Sequence, residues 1–152
     1  MPVFYFSELN DACSAGKNNH MSIGDFLISF VAGGAAYCLM ELFYRRRTHI
    51  SMAIAGGLSF AVLYGLYSRY EPGWIFAIAL GIIFITAVEL IVGYIVNIRL
   101  KLNVWDYSKL PLNLFGQVCI PYSAIWGILS YAILLVTPIW SNILVQINAF
   151  FA

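Results

Sequence analysis

Four long apolar runs divide the chain, and short polar breaks separate them. The runs cover about 22–44 (MSIGDFLISFVAGGAAYCLMELF), 51–68 (SMAIAGGLSFAVLYGLYS), 74–98 (WIFAIALGIIFITAVELIVGYIVNI) and 118–137 (VCIPYSAIWGILSYAILLVT). None alternates apolar and polar residues with a period of two, so barrel strands are excluded. Each approaches the roughly 20 residues with which a helix crosses a ~30 Å hydrocarbon layer. The pattern therefore predicts an all-α integral membrane protein. Residues 22–137 form a four-transmembrane-helix bundle with an ordered cytoplasmic loop between helices three and four. Residues 1–21 read as a polar N-terminal lead-in. Pro138 is expected to end the fourth helix, because an interior proline removes a helical hydrogen bond and its ring clashes with the preceding turn. Residues 138–152 then form an interfacial tail.

Composition agrees with that solvent. The chain has 152 residues, 62% hydrophobic and only 10% charged, whereas soluble domains run near 45–50% apolar and about 25% charged. With eight basic and seven acidic residues the net charge is +1, and no segment is basic enough to neutralise a run of phosphates, which excludes nucleic acid as a partner. Cys13, Cys38 and Cys119 show no C-x-x-C spacing, so neither a disulfide framework nor a metal site is indicated. His20 and His49 are too isolated to form a metal site, and no cofactor is implied. The H-E-x-x-H, G-x-S-x-G and G-x-x-x-x-G-K-[ST] motifs are all missing from the sequence, so no enzyme of those classes is expected.

Charge asymmetry sets the expected orientation. Arg45, Arg46 and Arg47 follow the first run, and Arg99, Lys101 and Lys109 follow the third. Lys17 and Arg69 lie on the other side. The positive-inside rule then puts the first and third loops in the cytoplasm and both termini outside, as in a multi-pass cell-membrane protein. Small residues recur every fourth position at Ala53, Gly57, Ala61 and Gly65, with Gly81 and Gly93, and Ser123 and Gly127, on the next two helices. Such faces allow close helix approach within a bundle or between copies. Four short spans enclose little interior, so a homo-oligomer or other membrane subunits are expected beside the lipid bilayer itself.

Two carboxylates interrupt the apolar runs. Glu89 lies nine residues from the cytoplasmic end of the third run, roughly 13 Å deep at ~1.5 Å per residue. An ionised carboxylate at that depth is unfavourable unless paired, protonated or facing water. Thr86, Gly81, Gly93 and Asn97 share its helical stripe, so Glu89 is expected to face the bundle interior. Glu41 precedes Arg45 by four residues, the spacing of an intrahelical ion pair. Glu41, Arg45, His49, Glu89 and Asn97 together form a candidate cytoplasm-facing polar cluster, either structural glue or the lining of a transport route.

The loop VWDYSKLPLNLFGQ, residues 104–117, is the densest polar and aromatic patch. Trp105 and Tyr107 suit the headgroup boundary. Asp106 and Ser108 are short acceptors for free backbone N–H groups in a turn. Pro111 holds Leu110 extended, and Asn113 is placed to cap a helix beginning near 114–116. The patch reads either as an interfacial turn stapling helices three and four or as a gate or docking surface.

These motifs resemble the CmpB-like family of ABC-transporter permeases, "ABC-transporter type IV". The resemblance rests on Glu89 and Gly93, on W-D-Y-S at 105–108, on Pro111 and Asn113 of L-P-x-N, on Gly116 and Cys119, and on S-x-x-W-G at Ser123, Trp126 and Gly127. YCLMELFYRRRTHISMAIAGGLSF, with Glu41 and Arg45 in an E-x-x-x-R arrangement, resembles the family's first hairpin. The similarity runs over about 31–130. It implies a small permease-like membrane subunit and an ATPase partner. Two other functions compatible with the residues are a non-transporting scaffold or accessory protein and a small holin-like pore-former.

Overall fold

The computed structural model describes residues 21–151. Among them, four helices are long and apolar enough to cross a membrane. They are α1 (Ile23–Arg45), α2 (Ile50–Tyr70), α3 (Trp74–Gly93) and α4 (Ile120–Phe151). The π-helical turns of Tyr94–Arg99 continue α3. Between α3 and α4 a two-residue ladder pairs β1 (Asn113–Leu114) antiparallel with β2 (Val118–Cys119). Apart from Met21, the expected N-terminal lead-in lies outside the described residues.

Local chemistry sets the helix ends. Ser22 accepts a hydrogen bond from the Asp25 amide while Asp25 accepts from the Ser22 amide, so two free N–H groups at the start of α1 are satisfied. Arg46 and Glu71 adopt the left-handed conformation after α1 and α2, at φ 56° and 44°, closing each helix in the manner of an αL cap. His49 Nδ1 caps α2 by accepting from the Ser51 amide at 3.2 Å.

Helices in lipid gain little from burying apolar surface against each other, so close backbone contact has to supply cohesion. Gly34 lies so close to α2 that a Cβ there would stand 2.7 Å from the Ala53 carbonyl oxygen. A Cβ on Gly81 would collide with Ser130 of α4. Two hairpins result, α1 with α2 and α3 with α4. Leu63, Tyr67, Ala77, Ile85, Trp126 and Ile133 form the core where α2 meets the second hairpin. A polar knot anchors that core: Ser130 Oγ donates to the Ala77 carbonyl at 2.9 Å and lies 2.6 Å from the Tyr67 hydroxyl. Outward-facing residues such as Leu27, Val31, Ile83 and Ile128 are exposed to the bilayer.

Two sequence expectations are corrected. The fourth helix does not end at Pro138 but runs through it to Phe151. In an apolar surrounding, breaking the helix would strand several backbone polar groups, whereas continuing it through Pro138 frees chiefly the one carbonyl four residues back, that of Leu134. Thr137 Oγ1 donates to the Ile133 carbonyl and Ser141 Oγ to the Thr137 carbonyl. Beyond Pro138 the helix lies against the first hairpin: Trp140 Nε1 donates to Ser29 Oγ at 2.8 Å, and Asn148 Nδ2 to Asp25 Oδ1 at 2.9 Å. The second correction concerns Asn113, which caps no helix. α4 begins only at Ile120, and Asn113 lies in β1.

Candidate functional site

Glu89 faces the bundle interior and is 5% exposed. Each of its oxygens has one donor. The Tyr107 hydroxyl donates to Oε1 at 3.0 Å, and Trp126 Nε1 of α4 donates to Oε2 at 2.7 Å. Thr86, one turn earlier on α3, donates to Ser123 Oγ at 2.9 Å. Among the described residues no basic side chain is ion-paired with Glu89.

Tyr107 reaches Glu89 because the loop folds inward. Trp105 and Tyr107, expected at the headgroup boundary, are instead buried in a second core with Met52, Val96 and Cys119. An aromatic ring whose polar tip finds a partner inside the protein has no need of the interface. Trp105 Nε1 donates to the Gln117 carbonyl at 2.9 Å, and the Tyr107 ring stacks on Tyr122 with centroids 4.5 Å apart. Burial, and then the neighbouring Glu89 carboxylate, raise the Tyr107 phenol above its ordinary value, so it remains a donor.

Asn97 organises the fold of the loop. It sits in the π-helical turns, which are frequent where a helix serves a local site. Its Oδ1 accepts from the Val104 amide at 2.7 Å, and its Nδ2 donates to the Trp105 carbonyl and to Gln117 Oε1. Arg45 ties the first hairpin to the same segment. It pairs with Glu41 at 3.4 Å and donates to the Val104 carbonyl at 3.1 Å.

Asp106 and Ser108 point outward and bond to each other. Asp106 Oδ1 accepts from the Ser108 amide at 2.8 Å, and Oδ2 from its hydroxyl at 3.0 Å. First the amide and then the hydroxyl hold the Asp106 carboxyl below its ordinary value. Asn113 Nδ2 donates to the Ser108 and Leu110 carbonyls, and its Oδ1 accepts from the Gly116 amide. Pro111 sits exposed in the same turn. Gly116 has φ 68°, and a Cβ there would stand 2.9 Å from Asp106 Oδ1, so the turn requires glycine twice over.

The expected polar cluster thus divides into neighbouring groups. Glu89 joins Tyr107 and Trp126, Asn97 joins the loop backbone, and Arg45 links Glu41 to Val104. His49 remains apart, its hydrogen bonds going to Ser51. Ser59 and Gln117 carry no functional signal in the sequence, and Tyr37 shows only that it shares the helical face of Glu41. Ser59 is an ordinary helix residue by composition, and Gln117 stands out only by its place in the polar stretch.

Glu89 lines a cavity of about 190 Å³ between the two hairpins. Its lining is apolar except at a few positions, among them Glu89, Tyr37 and Ser59. The Ser59 hydroxyl is buried and has no hydrogen-bond partner among the described residues.

Four spans around a buried, doubly bonded carboxylate, with an inter-helix loop folded onto it, define a multi-pass membrane protein with a capped intramembrane acid. The family model described as "Putative ABC-transporter type IV" matches residues 26–152, and the chain belongs to that family. Comparisons with curated proteins and with solved structures gave no match.

Proposed function

We propose that this protein is a permease-like membrane subunit in which Glu89 marks the solute route and the 105–113 loop caps that route on the cytoplasmic side. The observation that carries this reading is the 3.0 Å hydrogen bond from Tyr107 of the loop to Glu89 in the bundle. Moving the loop removes a donor from the carboxylate and uncovers it, so capping and the electrostatics of the route are coupled. In this arrangement both termini lie outside the cell, and the Arg45 and Lys109 ends face the cytoplasm and an ATPase partner. The family's description supports the transport class.

The test is flux through the purified chain in liposomes, assayed for protons, monovalent cations and small organic amines. Wild-type protein is expected to carry one of them, Glu89→Gln to lose that flux, and Tyr107→Phe to change its rate. Full flux in a folded Glu89→Gln protein sinks the role of the carboxylate. A second reading, a scaffold that transports nothing, draws on the observation that both Glu89 oxygens already have donors. It predicts no flux in the wild-type protein or in any variant.

A further inference from the structure

We infer that the cavity between the hairpins is a binding site for a small lipophilic amine, whose ammonium group meets Glu89 and whose apolar body fills the space toward Ser59. This rests on the permease reading only in taking the Glu89 cavity as the site of the cargo.

The size comes first. A cavity of about 190 Å³ is somewhat larger than the roughly 150 Å³ apolar cavity that admits benzene. It therefore suits one ring with a short arm; a peptide is too large, and a sugar's hydroxyls would be left unpaired against the apolar walls. The walls come second. Ile85, Val88, Leu129 and Ile133 give the body of the occupant nothing to hydrogen-bond with.

The polar contacts then select the head group. A carboxylate offers about four lone-pair sites, and Tyr107 and Trp126 use one on each oxygen. Both existing partners are neutral donors, so the carboxylate still lacks a counter-charge in an apolar surrounding. An ammonium supplies charge and N–H donors together. The second, independent pointer is Ser59. Other helix serines have partners: Ser68 and Ser141 bond back to Gly65 and Thr137, and Ser130 donates across to Ala77. Ser59 has no partner among the described residues, although it is buried and lines the cavity. A buried hydroxyl left unpaired is unfavourable by about 1–3 kcal/mol, which a hydrogen-bonding occupant removes.

The route of entry fixes the lipophilic character. Ala36 and Met40 of α1 line the cavity and are also exposed on the outer face of the bundle. Since α1 is a membrane span, that mouth opens sideways at bilayer depth.

The experiment uses the full chain in lipid nanodiscs and titrates 2-phenylethylamine against its neutral analogue 2-phenylethanol. Trp105 and Trp126 border the cavity, so intrinsic fluorescence reports occupancy. Saturable binding is expected, tighter for the amine by about tenfold or more, as one charge-assisted contact provides. Glu89→Gln should bring the amine down to the alcohol's level. Ala36→Phe alters only an exposed mouth residue and should abolish saturable binding of both probes. Non-saturable quenching, equal affinity for the two probes, or unchanged binding in Ala36→Phe overturns the inference. Amine binding without flux keeps this site and removes the permease reading, whereas flux of another solute without amine binding does the reverse.

Discussion

Tyr107 and Glu89 are 18 positions apart in sequence, and the phenol of one donates to the carboxylate of the other at 3.0 Å inside the bundle. With Trp126 on the second oxygen, the acid is clamped between a loop and a helix. Tyr107→Phe and Trp126→Phe should each destabilise the protein by about 1.5–3 kcal/mol, the range for hydrogen bonds to a charged group. Glu89→Gln keeps one carbonyl for two donors and should lose about as much. Reversible unfolding in detergent measures these values. A double-mutant cycle should find Tyr107 and Trp126 coupled, since they share one carboxyl.

Asn97 makes three hydrogen bonds that no other residue type can reproduce. Asn97→Asp keeps the acceptor for the Val104 amide but turns a carboxylate oxygen toward the Trp105 carbonyl and Gln117 Oε1. Each buried group left unpaired is unfavourable by about 1–3 kcal/mol. The expected result is a loop open to protease between 100 and 118 while the four helices persist. Limited proteolysis with circular dichroism reads both.

Gly81→Ala should force α3 and α4 apart, because the added methyl would occupy the position of Ser130. Overpacking of this kind is unfavourable by about 1–3 kcal/mol. The same shift should weaken the Tyr67–Ser130–Ala77 knot. Gly24→Ala, within α1, where a Cβ would meet only Ser22 Oγ at an ordinary 3.6 Å, is the control and should cost nothing.

Asp106 gives the pH prediction. Its folded-state value lies below the ordinary 3.8, held there by the Ser108 amide and hydroxyl. Its contribution to the turn is therefore fully present above the ordinary value and is lost as pH falls through the lower folded value. The Ser108 amide resonance should titrate with a midpoint below 3.8, and Asp106→Asn should abolish that titration. A midpoint above 3.8 overturns the assignment.

The membrane architecture was legible because bilayer thickness writes itself into run length. The inward face of Glu89 was legible because Thr86, Gly81, Gly93 and Asn97 share its stripe. The loop was not. Trp105 and Tyr107 carry the composition of interfacial anchors, and only the three-dimensional path of residues 100–119 turns them toward Met52 and Glu89. Pro138 misled because the rule for proline assumes water at the break, where stranded carbonyls are solvated. Ser59 left no mark, since a serine that bonds its own helix and one that bonds nothing are spelled alike.

The clamp on Glu89 also bears on how the chain is made. Synthesis delivers α1, α2 and α3 first, and both donors to the carboxylate, Tyr107 and Trp126, come later in the chain. Tyr107 is the first of the two to be made, and the Trp126 bond to the second oxygen waits for α4. The loop that carries Tyr107 is fastened by Arg45 from the earliest hairpin. A chain that stops short of Trp126 therefore lacks one of the two donors that the folded bundle gives Glu89.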